Sequence, residues 1–571
     1  MKHLSSPRLG KVALPVLLVV VVLCRLLPHS EGRLVGDVTG DLLDSVWGYW
    51  WFAGESSAGR LLPYHTPLLF YPDGGALMLP DPLNGWLAWV LGAADGPVRA
   101  YNLLIGVHVI LAGVGAFALA LASGAIRGSA VIVAAAVMTS SHLLALIEEG
   151  VPSATGFGWI AVSLALLIRS QAAASPTMAV AAGTTAALTL FAGHYHAFQL
   201  VILAGIICGT QAVRASAPRR NFRLLALSAF TAVILTAPVQ FIYLHAMRDG
   251  TELRLASRLE NHLEPFDVTG LEYFVPFHDT AAPVPRPPYI GLAFCALALI
   301  GATVERRMWR WWAAALSLLI LSMGPALYWR SALVMDLPMP YDLMALIPPL
   351  SFFRNAFRFQ AGAMLALVPP CAAGIGAMHR KHLPLAVLFF LLIGDHFVCG
   401  RGLPKTSSAE HPPACDWIAE QPDRTAVLDL PVRFRFHRVG WYEFYQTRHH
   451  RPIPYNISEA SDMKGFNPRL ALEVPLILAV TAADPHFTSP AGSGSYRMEE
   501  WLRERITESE PTMTVEGSAV ALQRLGIGYV VLHEEWLEPV TAIKMSAILA
   551  GELRRVPGFQ APSLWLVPYS R

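Results

Sequence analysis

Charge is what this sequence is short of. Only 15% of its 571 residues are Asp, Glu, Lys or Arg, against roughly a quarter in soluble domains. Hydrophobic residues make up 54%, so an ordinary water-soluble fold is excluded for most of the chain. The net charge is +2 and no basic run is interleaved with aromatics, which removes nucleic acid from the expected partners. Cysteine is also scarce, with 6 in all, too scattered for a disulfide framework or a metal site. Cys24, Cys208, Cys295 and Cys371 lie in apolar segments and read as packing residues. Cys399 and Cys415 are the two placed to pair outside the cytoplasm. The chain has no P-loop, no GxGxxG opening a helix after a strand, no HExxH and no GxSxG, so the common nucleotide, metalloprotease and serine-hydrolase sites are missing. There is no internal repeat of a solenoid.

What is present is a series of long apolar runs. A short basic start, MKHLSSPRLGK, leads into an apolar segment from Val12 to Leu27. No small-residue cleavage site follows it, so it reads as a retained helix rather than a signal peptide. Further spans are expected near 101–122, 129–147, 153–168, 177–193, 196–213, 223–244, 288–303, 309–327, 360–378 and 383–399, each judged against the 20 or so apolar residues needed to cross a bilayer. The expectation is an α-helical polytopic membrane protein of about 11 transmembrane helices. Alternation from an inside N-terminus puts Arg127, Arg169, Arg214, Arg219, Arg220, Arg223, Arg306, Arg307, Arg310, Arg380 and Lys381 in inside loops. Only Glu305 interrupts that set, and the acids fall outside, as the positive-inside rule requires. An odd span count sends the C-terminus out.

Past residue 400 charges and prolines return. TAVLDLPV and IGYVVLHEE read as buried strands and RMEEWLRERI as an amphipathic helix. The expected division is a membrane domain at 1–400, with a first outer loop at 28–100, and an extracytoplasmic α/β domain at 401–571.

The stretch GDVTGDLLDSVWGYWW, Gly36 to Trp51, carries three acids soon after the first span. Asp37, Asp41 and Asp44 are spaced i, i+4, i+7, which in a helix places them on one face. Trp47, Tyr49, Trp50 and Trp51 suit a helix lying at the lipid–water boundary. A solvated acidic interfacial helix is the plain reading of these residues, and a carboxylate site the functional one. His65 follows in a long Pro- and Gly-rich loop, of the kind that is often functional.

Three further outer-face groups stand out. Gly193-His194-Tyr195-His196 forms a tight turn between spans, although two histidines at i, i+2 need help from elsewhere to hold a metal. The loop 245–288 carries His262, Glu264, Asp267, Glu272, His278 and Asp279, a mixture able to take a divalent cation or simply to be solvated. Arg354 and Arg358 sit four apart among aromatics in PPLSFFRNAFRF, against the positive-inside trend, and arginine near lipid is costly unless paired. Asp336 or Asp342 would be their partners if they only fixed the fold. HRVGWYEFYQTRHHRP suits a carbohydrate or headgroup surface, and equally a packed domain edge.

Taken together, this layout resembles the bacterial integral-membrane glycosyltransferases of the GT-C type. The resemblance rests on Gly36-Asp37 after the first span, YPDGG in the long first loop and AYNLL opening the second span. It rests also on FRNAFRF, similar to the FR-x-x-x-R segment of such proteins, and on an outer domain that begins with a hydrophobic-Asp-Leu-Pro strand and continues to QTRHHRP. It implies a polyprenyl-phosphate-linked sugar donor and a glycan, lipid or protein acceptor. Asp37, Asp41 or Asp44 would be the catalytic base, since the adjacent Asp-Glu pair of some branches is replaced here by spaced acids. Arg354 and Arg358, with His194, His196 and His65, would bind substrate, and the cofactor is left open, a divalent metal ion being one option. An inverting single displacement would follow, the acid accepting the acceptor's proton and arginines steadying the departing phosphate. A lipid-linked glycan flippase would need ionisable groups at mid-membrane and repeated halves. Neither is evident, and a non-catalytic assembly protein is the remaining alternative.

Overall fold

The computed structural model describes residues 32–77, 79–248, 289–329, 332–335, 339–347, 353, 355–399, 403–432, 436–456, 465–485, 497–509 and 515–568. The chain forms two compact units, one of Met1–Asp37 with Pro80–Ser407 and one of Val38–Leu79 with Ser408–Arg571. The expected first span therefore lies outside the described residues. Strand β1 (Arg33–Val35) belongs to the first unit and helix α1 (Leu42–Ser57) to the second. The sequence reading kept the whole loop 28–100 with the membrane domain. Residues 38–79 instead pack with the C-terminal part.

The first unit is a helical, multi-pass membrane unit. Its described helices include α2 (Pro97–Ala122), α3 (Arg127–Met138), α4 (Ser141–Glu149), α5 (Gly158–Ala173), α6 (Pro176–Ala192), α7 (His194–Ala204), α8 (Pro218–Arg248), α9 (Leu292–Val304) and α10 (Trp309–Ser322), with a further short helix at Pro82–Val90 before α2. After a hairpin of β2 (Leu327–Trp329) and β3 (Ala332–Met335) come α11 (Pro340–Ala345), α12 (Gln360–Arg380) and α13 (Leu385–Gly394). Among the described residues six helical stretches are long and apolar enough to cross a membrane, and three shorter apolar helices in this unit accompany them. Every span expected beyond residue 28 coincides with helix. The one expected at 309–327 is cut short, because the chain leaves the helix at Ser322 and turns into the hairpin.

Local chemistry explains the breaks and the close crossings. Between α3 and α4 the Ser140 hydroxyl accepts the Leu143 N–H at 3.3 Å, capping a new helix. Helices α9 and α12 touch backbone to backbone. A Cβ on Gly301 would stand 1.9 Å from the Pro370 carbonyl oxygen, and one on Gly374 1.9 Å from that of Leu297. Small residues at a crossing are how membrane helices approach without a hydrophobic driving force between them. At one end of the bundle Arg307 Nη2 donates to the Ser123 carbonyl at 3.4 Å. That contact joins the end of α2 to the start of α10, two of the arginine-bearing turns.

The second unit is built on a mixed four-stranded sheet. Its strands are β4 (Ala426–Leu430), β5 (Ile527–Leu532), β6 (Arg554–Arg555) and β7 (Ser563–Leu566), in the order β6-β7-β5-β4. β5 runs parallel to β4 and antiparallel to β7. Helix α1 packs on α14 (Phe436–His449) within this unit. Trp47 stacks on Trp51 with centroids 5.9 Å apart, and its Nε1 donates to Gln446 Oε1 at 2.6 Å. Gln446 Nε2 in turn donates to the Leu68 and Arg451 carbonyls at 2.7 and 2.6 Å. Trp47, Tyr49, Trp50 and Trp51 are all buried. They are core residues of the second unit, which corrects the expectation of a helix lying on the lipid boundary. QTRHHRP is likewise a packed edge, since Gln446, Thr447, His449 and Arg451 are buried. Burial holds the His449 imidazole at about 3, well below its ordinary value. Cys415 is a free, buried thiol, and the side chain of Cys399, its expected partner, lies outside the described residues.

Candidate functional site

The site is assembled at the end of the first unit opposite the Arg307–Ser123 contact. Asn102, in the first turns of α2, fixes the entry of the chain. Its Oδ1 accepts the Val35 N–H at 3.0 Å and its Nδ2 donates to the Arg33 carbonyl at 2.8 Å. Gly36 then takes a φ of 123°, open to glycine and hostile to other residues. The Gly36 N–H donates to the Lys405 carbonyl at 2.9 Å, and the Asp37 N–H to that of Glu148 at 2.7 Å. Asp37 is thus a half-buried residue of a turn, held by its backbone against the acidic end of α4.

The three acids do not share a helix face. Helix α1 begins only at Leu42, after the turn that follows Gly36. Asp41 stands at its N-cap without a side-chain capping bond, and Asp44 lies in its first turn, where a carboxylate suits the helix dipole. Asp41 and Asp44 belong to the second unit, Asp37 to the first. His65 is also in the second unit, exposed on a two-residue strand paired with Ala76.

From Glu148 the chain runs into the segment at Ser153, whose carbonyl faces His196. A Cβ on Gly156 would lie 3.7 Å from His196 Nε2, so the start of α7 is seated against this segment. His196 is buried, whereas His194 is exposed. Tyr195 between them accepts the Asn355 N–H at 2.7 Å and packs edge-on against Phe353 at 4.9 Å. Phe198 stacks on Phe353 at 4.9 Å, and Gln199 Nε2 donates to the Arg358 carbonyl at 3.0 Å.

These contacts hold the Ala356–Phe359 turn and present Arg358. Its guanidinium carbon lies 5.2 Å from the centroid of the Tyr195 ring. The side chain is half-buried, and its Nε is buried without a hydrogen-bond partner. Among the described residues no carboxylate is within ion-pair distance of it, and the Asp342 carboxylate is used by the Met339 N–H at 3.0 Å. Arg354 and Asp336 lie outside the described residues. His196 is within electrostatic range of Arg358. Asp37, His196 and Arg358, three of the residues expected from sequence, therefore come to one end of one unit. Asp41, Asp44 and His65 are built into the other.

The sequence reading missed a polar chain inside the bundle. Asp81 Oδ2 accepts from Asn84 Nδ2 at 2.8 Å, and Asn84 Oδ1 lies 3.0 Å from His108 Nε2. His108 Nδ1 lies 2.6 Å from the Thr155 hydroxyl. His142, next to Gln360, and His108 are both within electrostatic range of His196. Ionisable residues inside spans mark functional sites by default, and that signal was available at His108 and His142. Among the described residues no group of three His, Cys, Asp or Glu side chains is placed to hold a metal ion. The loop with His262, Glu264, Asp267, Glu272, His278 and Asp279 lies outside them.

The fold has counterparts among solved structures. It is similar to the arabinofuranosyltransferase AftD from Mycobacteria, with a TM-score of 0.57 at 16% identity over 99% of this chain and 40% of that one. It is similar also to the Archaeoglobus fulgidus oligosaccharyltransferase in the apo form, with a TM-score of 0.50 at 14% identity over 98% and 75% of the two chains. The chain thus spans about two fifths of the length of AftD. No protein-family model and no curated protein sequence matches it. At these identities the likeness is one of fold alone, shared with a mycobacterial arabinofuranosyltransferase and an archaeal oligosaccharyltransferase.

Proposed function

We propose that the chain is a membrane glycosyltransferase that moves a sugar from a polyprenyl-phosphate donor to a glycan, lipid or protein acceptor of the cell envelope. The N-terminus is cytoplasmic, and the chemistry takes place on the extracytoplasmic face of the plasma membrane, as the distribution of arginines in the loops supports. What supports the reading is that the Asp37 turn, before α2, and the Arg358 turn, before α12, belong to the same end of the membrane unit, and that among the described residues no carboxylate pairs with Arg358. A carboxylate and a guanidinium are the two groups this reaction requires.

The acceptor hydroxyl attacks the anomeric carbon as the bond from that carbon to the donor phosphate oxygen breaks. The hydroxyl proton passes to the Asp37 carboxylate, and the electron pair of the broken bond leaves with the polyprenyl phosphate. Arg358 meets that phosphate with up to two parallel N–H bonds, a geometry lysine does not offer. The rings of Tyr195, itself packed on Phe353 and Phe359, and of Phe357 lie against the guanidinium and partly cover it, which strengthens a charged contact. A single displacement of this kind inverts the anomeric centre.

The test is a comparison of envelope glycans and accumulated lipid-linked sugars in cells with the gene, without it, and with Asp37→Asn in its place. Loss of a glycan with build-up of one lipid-linked sugar, in both the null and the Asp37→Asn cells, is expected. Loss of a general base costs about 10²- to 10⁴-fold. Unchanged glycans and lipid-linked sugars in the null cells would sink the reading. Loss in the null but full function with Asp37→Asn would move the base elsewhere.

A further inference from the structure

Between α10 and the turn that bears Arg358, the chain makes a detour that the core does not need. β2 and β3 pair antiparallel, with Leu327 opposite Met335 and Tyr328 opposite Leu333. A strand with one face in water alternates apolar and polar residues, but the sequence of β3 is Ala-Leu-Val-Met and all four residues are exposed. Leu333 is 57% exposed, and Val334 and Met335 nearly as much. Helix α11 and the residue after it add Leu343 and Leu346, the latter 78% exposed. On the opposite side of α11, Tyr341 and Met344 are buried and the Tyr341 hydroxyl donates to the Phe353 carbonyl. The helix therefore has a fixed inner face and an apolar outer one.

In water such a surface, on a hairpin that pairs with no other strand among the described residues, would be an aggregation site. The neighbouring helix α10, which packs against α11, exposes Leu316 and Ile320 in the same unit. The only charged group among the described residues of β2, β3 and α11 is Asp342, whose carboxylate takes the Met339 N–H. A sheet edge is not tolerated within hydrocarbon, because its N–H and C=O groups find no partners there. At the headgroup boundary water serves the edge while the side chains reach the acyl region. Trp329, 40% exposed at the end of β2, is of the residue type that concentrates at that depth.

We infer that the β2–β3 hairpin and α11 form a ledge seated in the lipid–water interface, with Leu333, Val334, Met335, Leu343 and Leu346 in contact with lipid. Through Tyr341 and Phe353 the ledge holds the Arg358 turn at headgroup level. The inference does not depend on the chemistry proposed above.

The test uses the full chain in nanodiscs with Leu333→Cys or Leu346→Cys labelled by bimane, and the unaltered chain as the background. Leu316→Cys serves as the lipid-facing reference and Val520→Cys, exposed in the second unit, as the aqueous one. Lipids with a nitroxide near the headgroup should cause a loss of ledge emission at least as large as at Leu316→Cys, while aqueous iodide should quench only Val520→Cys strongly. Strong iodide quenching with no lipid quenching would place the ledge in water and overturn the inference. Quenching by neither, at both ledge sites, would mean that protein covers it, a second copy or another partner, and would overturn it equally.

Discussion

Replacing Arg358 separates a phosphate-binding residue from one that only holds the fold. In the fold, its visible interactions are the ring of Tyr195 at 5.2 Å and that of Phe357 at 6.0 Å. Cation–π contacts at partly exposed sites are worth about 0.5–1 kcal/mol, and no ion pair is lost among the described residues. Arg358→Ala should therefore lower thermal stability by only about 1 kcal/mol. Its catalytic cost should be much larger. A hydrogen bond to a charged group contributes roughly 1.5–3 kcal/mol, which is about 10- to 150-fold in rate for each bond lost to the phosphate. Arg358→Lys keeps the charge and loses the parallel pair, so its loss should fall in that range and appear mainly in kcat. Arg358→Ala, which loses both, should lose about 10²- to 10³-fold and bind the donor more weakly. The assay is transfer from a synthetic polyprenyl-phosphate sugar by purified protein in nanodiscs, with melting curves on the same samples. A folded Arg358→Ala protein that binds and transfers normally would refute the phosphate role. A loss of activity that merely follows a loss of folded protein would assign the residue to the fold.

Gly374→Val should destabilise the first unit strongly, because its Cβ would stand 1.9 Å from the Leu297 carbonyl oxygen where ordinary contact begins at 3.4 Å. The cost expected of such overpacking is about 1–3 kcal/mol or more. Gly394→Ala, where a Cβ meets nothing within 4 Å, is the matched control, and equal melting temperatures for the two variants would contradict the packing described. In the second unit burial alone would lower the His533 imidazole, but its bonds to Asp429 at 2.9 Å and Glu535 at 3.1 Å prevail and raise it above its ordinary value. The stability it supplies is then complete below pH 6.5 or so and is lost as pH rises through the raised value. Asp429 is itself raised by burial, against the pull of His533. Urea unfolding from pH 6 to 9 should show a decline that His533→Gln flattens, and an unchanged slope in that variant would remove the imidazolium from the account. Reporter fusions near residues 216, 308 and 380 should read cytoplasmic and those after 405 external. An inside reading for the C-terminal unit would overturn the proposed topology.

The spans were legible because hydropathy is a property of each segment on its own. A run that must meet lipid or a helical neighbour is apolar whatever its partner is, so each expected span past residue 28 coincides with helix. The aromatics of α1 were not legible in the same way. Tryptophans meeting lipid headgroups and tryptophans meeting a distant helix look alike in sequence, and the partner that decides between them, Gln446, is 399 residues from Trp47. The spacing of Asp37, Asp41 and Asp44 misled for a local reason. Helical periodicity has meaning only inside a helix, and Gly36 with its positive φ marks a turn after which α1 starts at Leu42.

The polar groups of the membrane unit show why some of the residues gathered at this end were singled out from sequence and others passed over. Arg358 drew notice because an outer-loop arginine breaks a charge trend, and Asp37 because acids cluster after the first span. His108 and His142 break no trend in their own segments, which are apolar on both sides. What marks them is cost. A buried imidazole must be hydrogen-bonded to be tolerated away from water, and His108 meets that demand through Asn84 from one segment and Thr155 from another. That arrangement needs three elements to converge, which no window of sequence contains. The elements that converge there also carry Asp37 and His196, through Asn102 and the 148–153 segment. Polar residues spent inside a bundle whose helices elsewhere meet through glycine backbones are then a positional signal. They fix the packing of the elements that carry Asp37 and His196, and so support the proposal that places the site at this end of the unit rather than at the arginine-bearing one.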